Sequence, residues 1–408
     1  MGFDMTRRRW IGLAGCLTVV MVVAIVAIAG GGSNQPGAAA APTASASATA
    51  PASTAAPAST PAPATTTASR PAAGKAKAAG APARLGLDPA RAAARLFLVG
   101  FGGTKAREEL LGRFRKREWG GVVLEPGNGA SPQQVADLLG AIRRAAVDAG
   151  HEAPLFAASQ LGGDLDAVPV GAPLQSQLRD AATTRATALA VAKALHPLGI
   201  RMVLGPDADV GFAGGPWEGV AYSDDPATVA ALAGAAVSGY KDGEVAAAPG
   251  HFPGEGAASG DPAIEAATVG VSLADLRARD FKPFQELAGH APAIQLSSAT
   301  YVAFDGVTPA TLLPEAVRLL REELRFGGVV VSGDLAAASL AGGAPVAQLA
   351  VAALKAGADL LWVPGGADDQ VAAWRAVTRA IKSGDVPKAR VAEALAHVDA
   401  LRDKYGVR

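Results

Sequence analysis

Beyond residue 84 the chain alternates between short, continuous apolar runs and longer stretches in which apolar side chains recur every three or four positions. The apolar runs lie at 95–101, 120–126, 154–160, 200–206, 244–252, 292–298, 327–334 and 359–365. A continuous run of this length predicts a strand buried on both faces, as in a parallel sheet. The intervening stretches carry helix start signals: Ser131-Pro132, Asp225-Pro226, Ser272 and Leu313-Pro314 each stand before a helical periodicity. Eightfold alternation of strand and helix predicts an α/β fold of the (β/α)8 TIM-barrel kind, one folded domain over 84–408 with an extra helix in 386–406. A doubly wound open sheet is the other arrangement these elements allow.

The first part of the chain has a different pattern. Residues 6–29 place arginines ahead of an uncharged apolar run from Ile11 to Ala29, long enough to span a bilayer as a helix. Thr6-Arg7-Arg8-Arg9-Trp10-Ile11 resembles a twin-arginine signal, and Ala27-Ile28-Ala29 has the small-x-small form of a cleavage site. Segment 1–29 is therefore an export signal or an uncleaved membrane anchor, and both readings place the rest outside the cytoplasm. Segment 30–83 is Ala, Pro, Thr, Ser and Gly almost throughout. Such a sequence buries too little apolar surface to offset its ordering entropy, and it predicts a proline-stiffened linker.

Composition narrows the function classes. Net charge is zero and the basic residues are scattered, so there is no electrostatic footprint for nucleic acid. The one cysteine, Cys16, lies inside the apolar run, so 84–408 forms no disulfide. No His, Asp or Glu spacing matches an HExxH or tetrahedral metal motif, and no cofactor is expected. His151, His196, His290 and His397 fall in helices or at their ends, where surface or capping roles are the expectation. The folded part is expected to be a monomer.

In a TIM barrel, chemistry sits on the loops after the carboxyl ends of the strands. Those positions carry Ser159, Gln160, Asp207, Asp209, His251, Glu255, Ser298, Thr300, Ser332 and Asp334, with Trp217, Tyr222, Tyr301 and Trp362 on or near the same loops. The segment from Gly250 to Ala263 concentrates a histidine, two carboxylates and several turn-forming residues. Asp164, Asp207 and Asp209 read as an acidic patch at the mouth or, for the latter two, as an ordinary strand-exit turn.

Taken in order over about residues 94–366, these segments resemble the N-terminal barrel domain of glycoside hydrolase family 3, in its β-N-acetylglucosaminidase branch. The resemblance implies a Lys-His-Phe-Pro-Gly-His-Gly loop, then an Asp-Ser-His whose histidine is the general acid/base. Here the loop is Gly250-His251-Phe252-Pro253-Gly254-Glu255-Gly256, and the triplet at the same spacing is Asp261-Pro262-Ala263. The acid/base position is Ala263. The family nucleophile is an aspartate directly after Ser or Thr at the end of strand seven. This chain has Ser332-Gly333-Asp334-Leu335, so that position is Gly333. The family's Asp-Gln-Glu-Gly-Gly-Arg becomes Ser159-Gln160-Leu161-Gly162-Gly163-Asp164, and its Asp-Arg-Ser-Phe becomes Gly219-Val220-Ala221-Tyr222.

Retaining glycoside hydrolysis needs a nucleophilic carboxylate about 5 Å from a proton donor, so the resemblance implies a barrel that has lost both groups. It implies a carbohydrate or peptidoglycan fragment as partner, with His251, Gln160, Tyr222 and Trp362 as candidate binding residues. Asp334, Glu255 and Asp261 are the candidates for relocated catalytic carboxylates. Asp334, one position late on a strand, is expected to swing away from the sugar and cap the next helix. Glu255 reads as a solvated loop carboxylate or, in an apolar pocket, as a proton donor with a raised pKa. Asp261 has no histidine to orient and reads as a loop cap. An active hexosaminidase using these carboxylates, and a tethered partner-binding barrel without sugar affinity, are the alternatives.

Overall fold

The computed structural model describes Gly86 and residues 88–407. The expected signal or anchor at 1–29 and the linker at 30–83 lie outside the described residues.

Six strands form one parallel sheet: β1 (Phe97–Val99), β2 (Gly121–Leu124), β3 (Leu155–Ser159), β4 (Ile200–Asp207), β5 (Ala246–Gly250) and β10 (Leu361–Val363), in the order β10-β1-β2-β3-β4-β5. A parallel pair, β7 (Ala293–Gln295) with β9 (Val329–Val331), stands apart from this ladder. The sheet curls, and single parallel bridges reach the pair from either side, Phe252 to Leu296 past β5 and Val331 to Leu360 before β10. Regular pairing thus covers six strands and thins to single bridges around β7 and β9. A short parallel pair, β6 (Thr268–Val269) with β8 (Thr300–Tyr301), lies in the loops that follow β5 and β7.

The helices are α1 (Pro89–Arg95), α2 (Glu108–Lys116), α3 (Pro132–Val147), α4 (Ala181–Leu195), α5 (Pro226–Asp242), α6 (Leu273–Ala278), α7 (Phe281–Leu287), α8 (Pro314–Arg318), α9 (Leu335–Gly342), α10 (Val346–Ala356), α11 (Ala367–Ser383) and α12 (Lys388–Lys404). Their starts follow the sequence. Ser131 caps α3 through the Gln134 amide, Asp225 caps α5 through Thr228, and Ser272 forms a capping box with Asp275 on α6. The periodicity after Ser272 predicts one long helix, whereas the structure breaks it between α6 and α7. Pro283 supplies the reason: it has no N–H to give the Arg279 carbonyl, and its ring crowds that carbonyl. The break turns Asp280 inward.

Strand residues alternate between two apolar layers, as the pleat requires. Leu98, Val123, Leu155, Ala157, Met202, Leu204, Ala246 and Ala248 pack in an inner cluster, while Phe97, Val99, Val122, Leu124 and Phe156 face the helices. Val398, Leu401 and Tyr405 at the end of the chain join the inner cluster. Arg402 donates to the carbonyls of Gly120 and Ala153, just before β2 and β3. Helix α12 therefore covers the amino-terminal ends of the strands. The loops at the opposite ends are left to form a site.

Candidate functional site at the carboxyl ends of the strands

The loop after β5 is shaped by contacts that only glycine tolerates. Gly254 has φ of 122°, and a Cβ there would lie 2.6 Å from the Asp280 Cβ. At Gly256 a Cβ would overlap the Val210 carbonyl. Between them Phe252 is fully buried, its ring centroid 5.3 Å from those of both Phe281 and Phe284. The loop is thus pinned between the exit of β4 and helix α7.

This packing gathers a polar cluster. His251 Nδ1 lies 2.8 Å from Asp209 Oδ2 and 3.5 Å from Glu255 Oε2. The Glu255 amide donates to Asp209 Oδ1 at 2.6 Å, and the Ser298 amide donates to Glu255 Oε1 at 3.1 Å. The Asp209 amide donates to Asp207 Oδ1 at 2.7 Å, and the Gln175 side chain holds the Asp207 backbone through both its N–H and its carbonyl. Tyr301 donates its hydroxyl to the Gly254 carbonyl at 3.0 Å. Asp209 and Glu255 are buried, whereas the His251 side chain keeps 21% of its surface and stacks on Trp217, 5.2 Å between centroids.

Burial sets the charges here. It pushes the His251 pKa down, but Glu255, Asp209 and Asp207 outweigh it and hold the imidazole raised to about 10, so the ring carries a proton at neutral pH. Burial raises Glu255 above the usual carboxylate range, and Asp207 well above it with help from Asp209. Asp280, beneath Gly254, is pushed up to about 7 by burial, against the pull of Arg279 and with a further push from Asp209.

A raised carboxylate pKa means that the folded state holds its proton more tightly than the unfolded chain. Its contribution to stability is complete below about pH 4 and lost as pH rises through about 7. The Asp280→Asn variant should therefore gain on the wild type as pH rises from 4 to 8. Urea unfolding at pH 4, 6 and 8 checks this, and a difference independent of pH would contradict it.

The other expected residues have different settings. Glu255 is not solvated, as one reading had it; it is 2% exposed. Asp334 caps α9, with Oδ1 accepting from the amides of Ala336 and Ala337 at 2.7 and 2.9 Å. Asp261 Oδ1 accepts from the Ala263 amide at 2.8 Å, a turn within its own loop. Gln160 is buried, and its amide pairs with both backbone groups of Val168. Tyr222 is buried with Gln160, Gln175 and Tyr240 around a cavity of about 30 Å³. Trp362 is half-buried and packs on the inner cluster, its Nε1 without a partner. A Cβ built on Gly333 would collide with Ser298 Oγ and lie 2.9 Å from the Leu296 carbonyl oxygen. Ser298 Oγ itself donates to the Asp334 carbonyl.

Gln160 and Tyr222 meet at the separate small cavity, while His251 and Glu255 are brought together in the polar cluster. Their partners Asp207 and Asp209 sit in the strand-exit turn, and Trp217 follows it. Asp280 was not among the candidates; the proline that turns it inward is the signal that points to it.

An α/β protein with a curled parallel sheet, a covered amino-terminal end and a polar cluster at the carboxyl ends belongs to the class of barrel-type scaffolds that carry their sites on strand-exit loops. The chain belongs to glycosyl hydrolase family 3, whose N terminal domain matches residues 92–401, and it is β-hexosaminidase-like at about 30% identity. It is 33% identical over 290 residues to the beta-hexosaminidase of Stenotrophomonas maltophilia, covering 66% of this chain and 83% of that protein. It is similar to a family 3 beta-N-acetylglucosaminidase from a Paenibacillus species, with TM-score 0.73 and 28% identity over 78% of this chain and 62% of that longer one. A beta-N-acetylhexosaminidase from Beutenbergia cavernae aligns with TM-score 0.71 and 27% identity over 78% of this chain and 99% of that one.

Proposed function

We propose that this protein is an exported family 3 barrel that binds N-acetylglucosamine-containing glycan or peptidoglycan fragments at the carboxyl ends of its strands and lacks hydrolytic activity. The kinship with hexosaminidases supports the sugar class. In this reading the strands form a complete ring of eight, and His251, Trp217 and Trp362 contact the sugar.

The observation that carries the loss of activity is at Gly333. Ser298 and the Leu296 carbonyl fill the space that a nucleophile's Cβ would take, and the next residue, Asp334, spends its carboxylate on the amides of α9. A buried Glu255 with a raised pKa is a reasonable proton donor, but the carboxylates around it are committed or buried: Asp209 holds His251 and two amides, and Asp207, 2% exposed, accepts the Asp209 amide at Oδ1. A proton donor without a nucleophile gives no glycosyl intermediate.

The test is a chromogenic N-acetylglucosaminide assay beside calorimetry with muropeptides. The expected result is heat of binding without turnover above background. Turnover that disappears in Asp334→Ala would establish an active hexosaminidase instead. Absence of heat at millimolar ligand would favour a tethered barrel that binds a protein partner.

A further inference from the structure

We infer that Asp209, His251 and Glu255 form a binding site for a divalent transition-metal ion of the zinc type, which ties the loop after β5 to the exit of β4. Their ligand atoms all lie within 4.8 Å of one another. Zinc bonds to nitrogen and oxygen of about 2.0–2.2 Å place neighbouring ligand atoms roughly 3–3.5 Å apart. The separations of 2.8 Å between Asp209 Oδ2 and His251 Nδ1, and 3.5 Å between His251 Nδ1 and Glu255 Oε2, bracket that range. One imidazole nitrogen with two carboxylate oxygens is a ligand set suited to zinc and its neighbours, and less to magnesium or calcium, which prefer oxygen alone.

A second observation points to a cation independently of that triad. Asp207 is 2% exposed, its Oδ1 accepts from the Asp209 amide at 2.7 Å, and its Oδ2 has no hydrogen-bond partner. A buried carboxylate oxygen without a partner is costly unless a proton or a cation lies close to it. A dication held by Asp209, His251 and Glu255 would displace the proton that His251 Nδ1 carries, release it to solvent and bring one further positive charge beside Asp207. The surrounding contacts already orient the ligands: the Glu255 amide fixes Asp209 Oδ1, the Ser298 amide fixes Glu255 Oε1, and Trp217 stacks on the imidazole. Such supports are what a metal site needs around its ligands. The partly exposed edge of His251 provides a path for the ion, and three protein ligands leave a tetrahedral centre one open position. Asp209 and His251 are 42 positions apart, which is why no local spacing in the sequence signals the site.

The experiment uses the full chain, stripped with a chelator and titrated with Zn²⁺ at pH 8 by calorimetry, with metal content measured after desalting. Uptake of about one ion per chain is expected. Loss of an outer partner alone weakens metal sites by about 10–100-fold, so Glu255→Gln and Asp209→Asn should each weaken binding at least tenfold, while His290→Gln leaves it unchanged. Circular dichroism and thermal unfolding establish that each variant is folded. Should Asp209→Asn fail that check, Glu255→Gln and the visible absorption of a Co²⁺-substituted wild type carry the test. No uptake by the folded wild type, or uptake that survives replacement of Glu255 and of His251, would overturn the assignment. This experiment is independent of sugar binding.

Discussion

Replacing Asp359 with asparagine should destabilise the barrel by about 3–5 kcal/mol, the range for removing one partner from a buried ion network. Asp359 is fully buried just before β10. Its Oδ2 accepts from Arg321 at 2.7 Å and from the Val330 amide at 3.0 Å and lies 3.0 Å from His397 Nδ1, while Oδ1 pairs with Arg390. Arg321 comes from the turn after α8, Arg390 and His397 from α12, and Val330 from β9, so one carboxylate ties the C-terminal helix to the closing strands. Burial alone would raise its pKa, but His397, Arg390 and Arg321 hold it below the usual carboxylate range. Its contribution is therefore present above about pH 4 and lost as acid protonates it. Asparagine keeps the shape and removes the charge, which takes the counter-ion from Arg321 and leaves Arg390 with the exposed Glu393. Urea unfolding at pH 7 measures the loss; a change below about 1 kcal/mol would show that the arginines find other partners. The triple variant Asp359→Leu with Arg321→Met and Arg390→Met should recover part of the loss, because apolar replacement of the carboxylate and both guanidinium groups removes the desolvation cost as well.

That network also marks how far the sequence could be read. The strands were legible because parallel strands buried on both faces leave continuous apolar runs, and each of the runs matches a strand of the structure, β4 extending one residue past its run to Asp207. The starts of α3, α5 and α6 were legible because a capping side chain acts on amides two or three residues away. The pair β6 and β8 was not, since two-residue strands leave no periodicity. His397 looked like a surface or capping residue, and only the path of α12 over the strand ends brings it to Asp359. The cluster at His251 was half legible: its loop stood out by composition, and Asp207 and Asp209 by their place at a strand exit. The contact between the two depends on strands β4 and β5 lying side by side, a long-range fact that no local pattern encodes. Burial of Glu255 has the same origin, because the loop after β7 supplies the Ser298 amide that covers it.

On the proposed reading, in which positions 333 and 263 stand where the family carries its nucleophile and its acid/base, placing an aspartate and a histidine there should not produce hydrolysis. In the Gly333→Asp, Ala263→His double variant we expect no turnover of a chromogenic N-acetylglucosaminide above background, and a loss of about 1–3 kcal/mol of stability from overpacking at position 333. The cause is local. A Cβ at 333 meets Ser298 Oγ first, then the Leu296 carbonyl at 2.9 Å and the Ser297 carbonyl carbon at 3.1 Å. The first of these is a side chain, and Ser298→Gly removes it; the other two are backbone that follows β7 and does not yield without moving the strand end. A new aspartate would thus be carried on a displaced backbone, and a displacement of about 1 Å is enough to cost a reaction of this kind some hundredfold. Adding Ser298→Gly to the double variant should recover stability before it recovers any activity. If the double variant instead unfolds like the wild type and turns over substrate, position 333 is open enough to hold a nucleophile, and the closure of that space is not what separates this barrel from an active one.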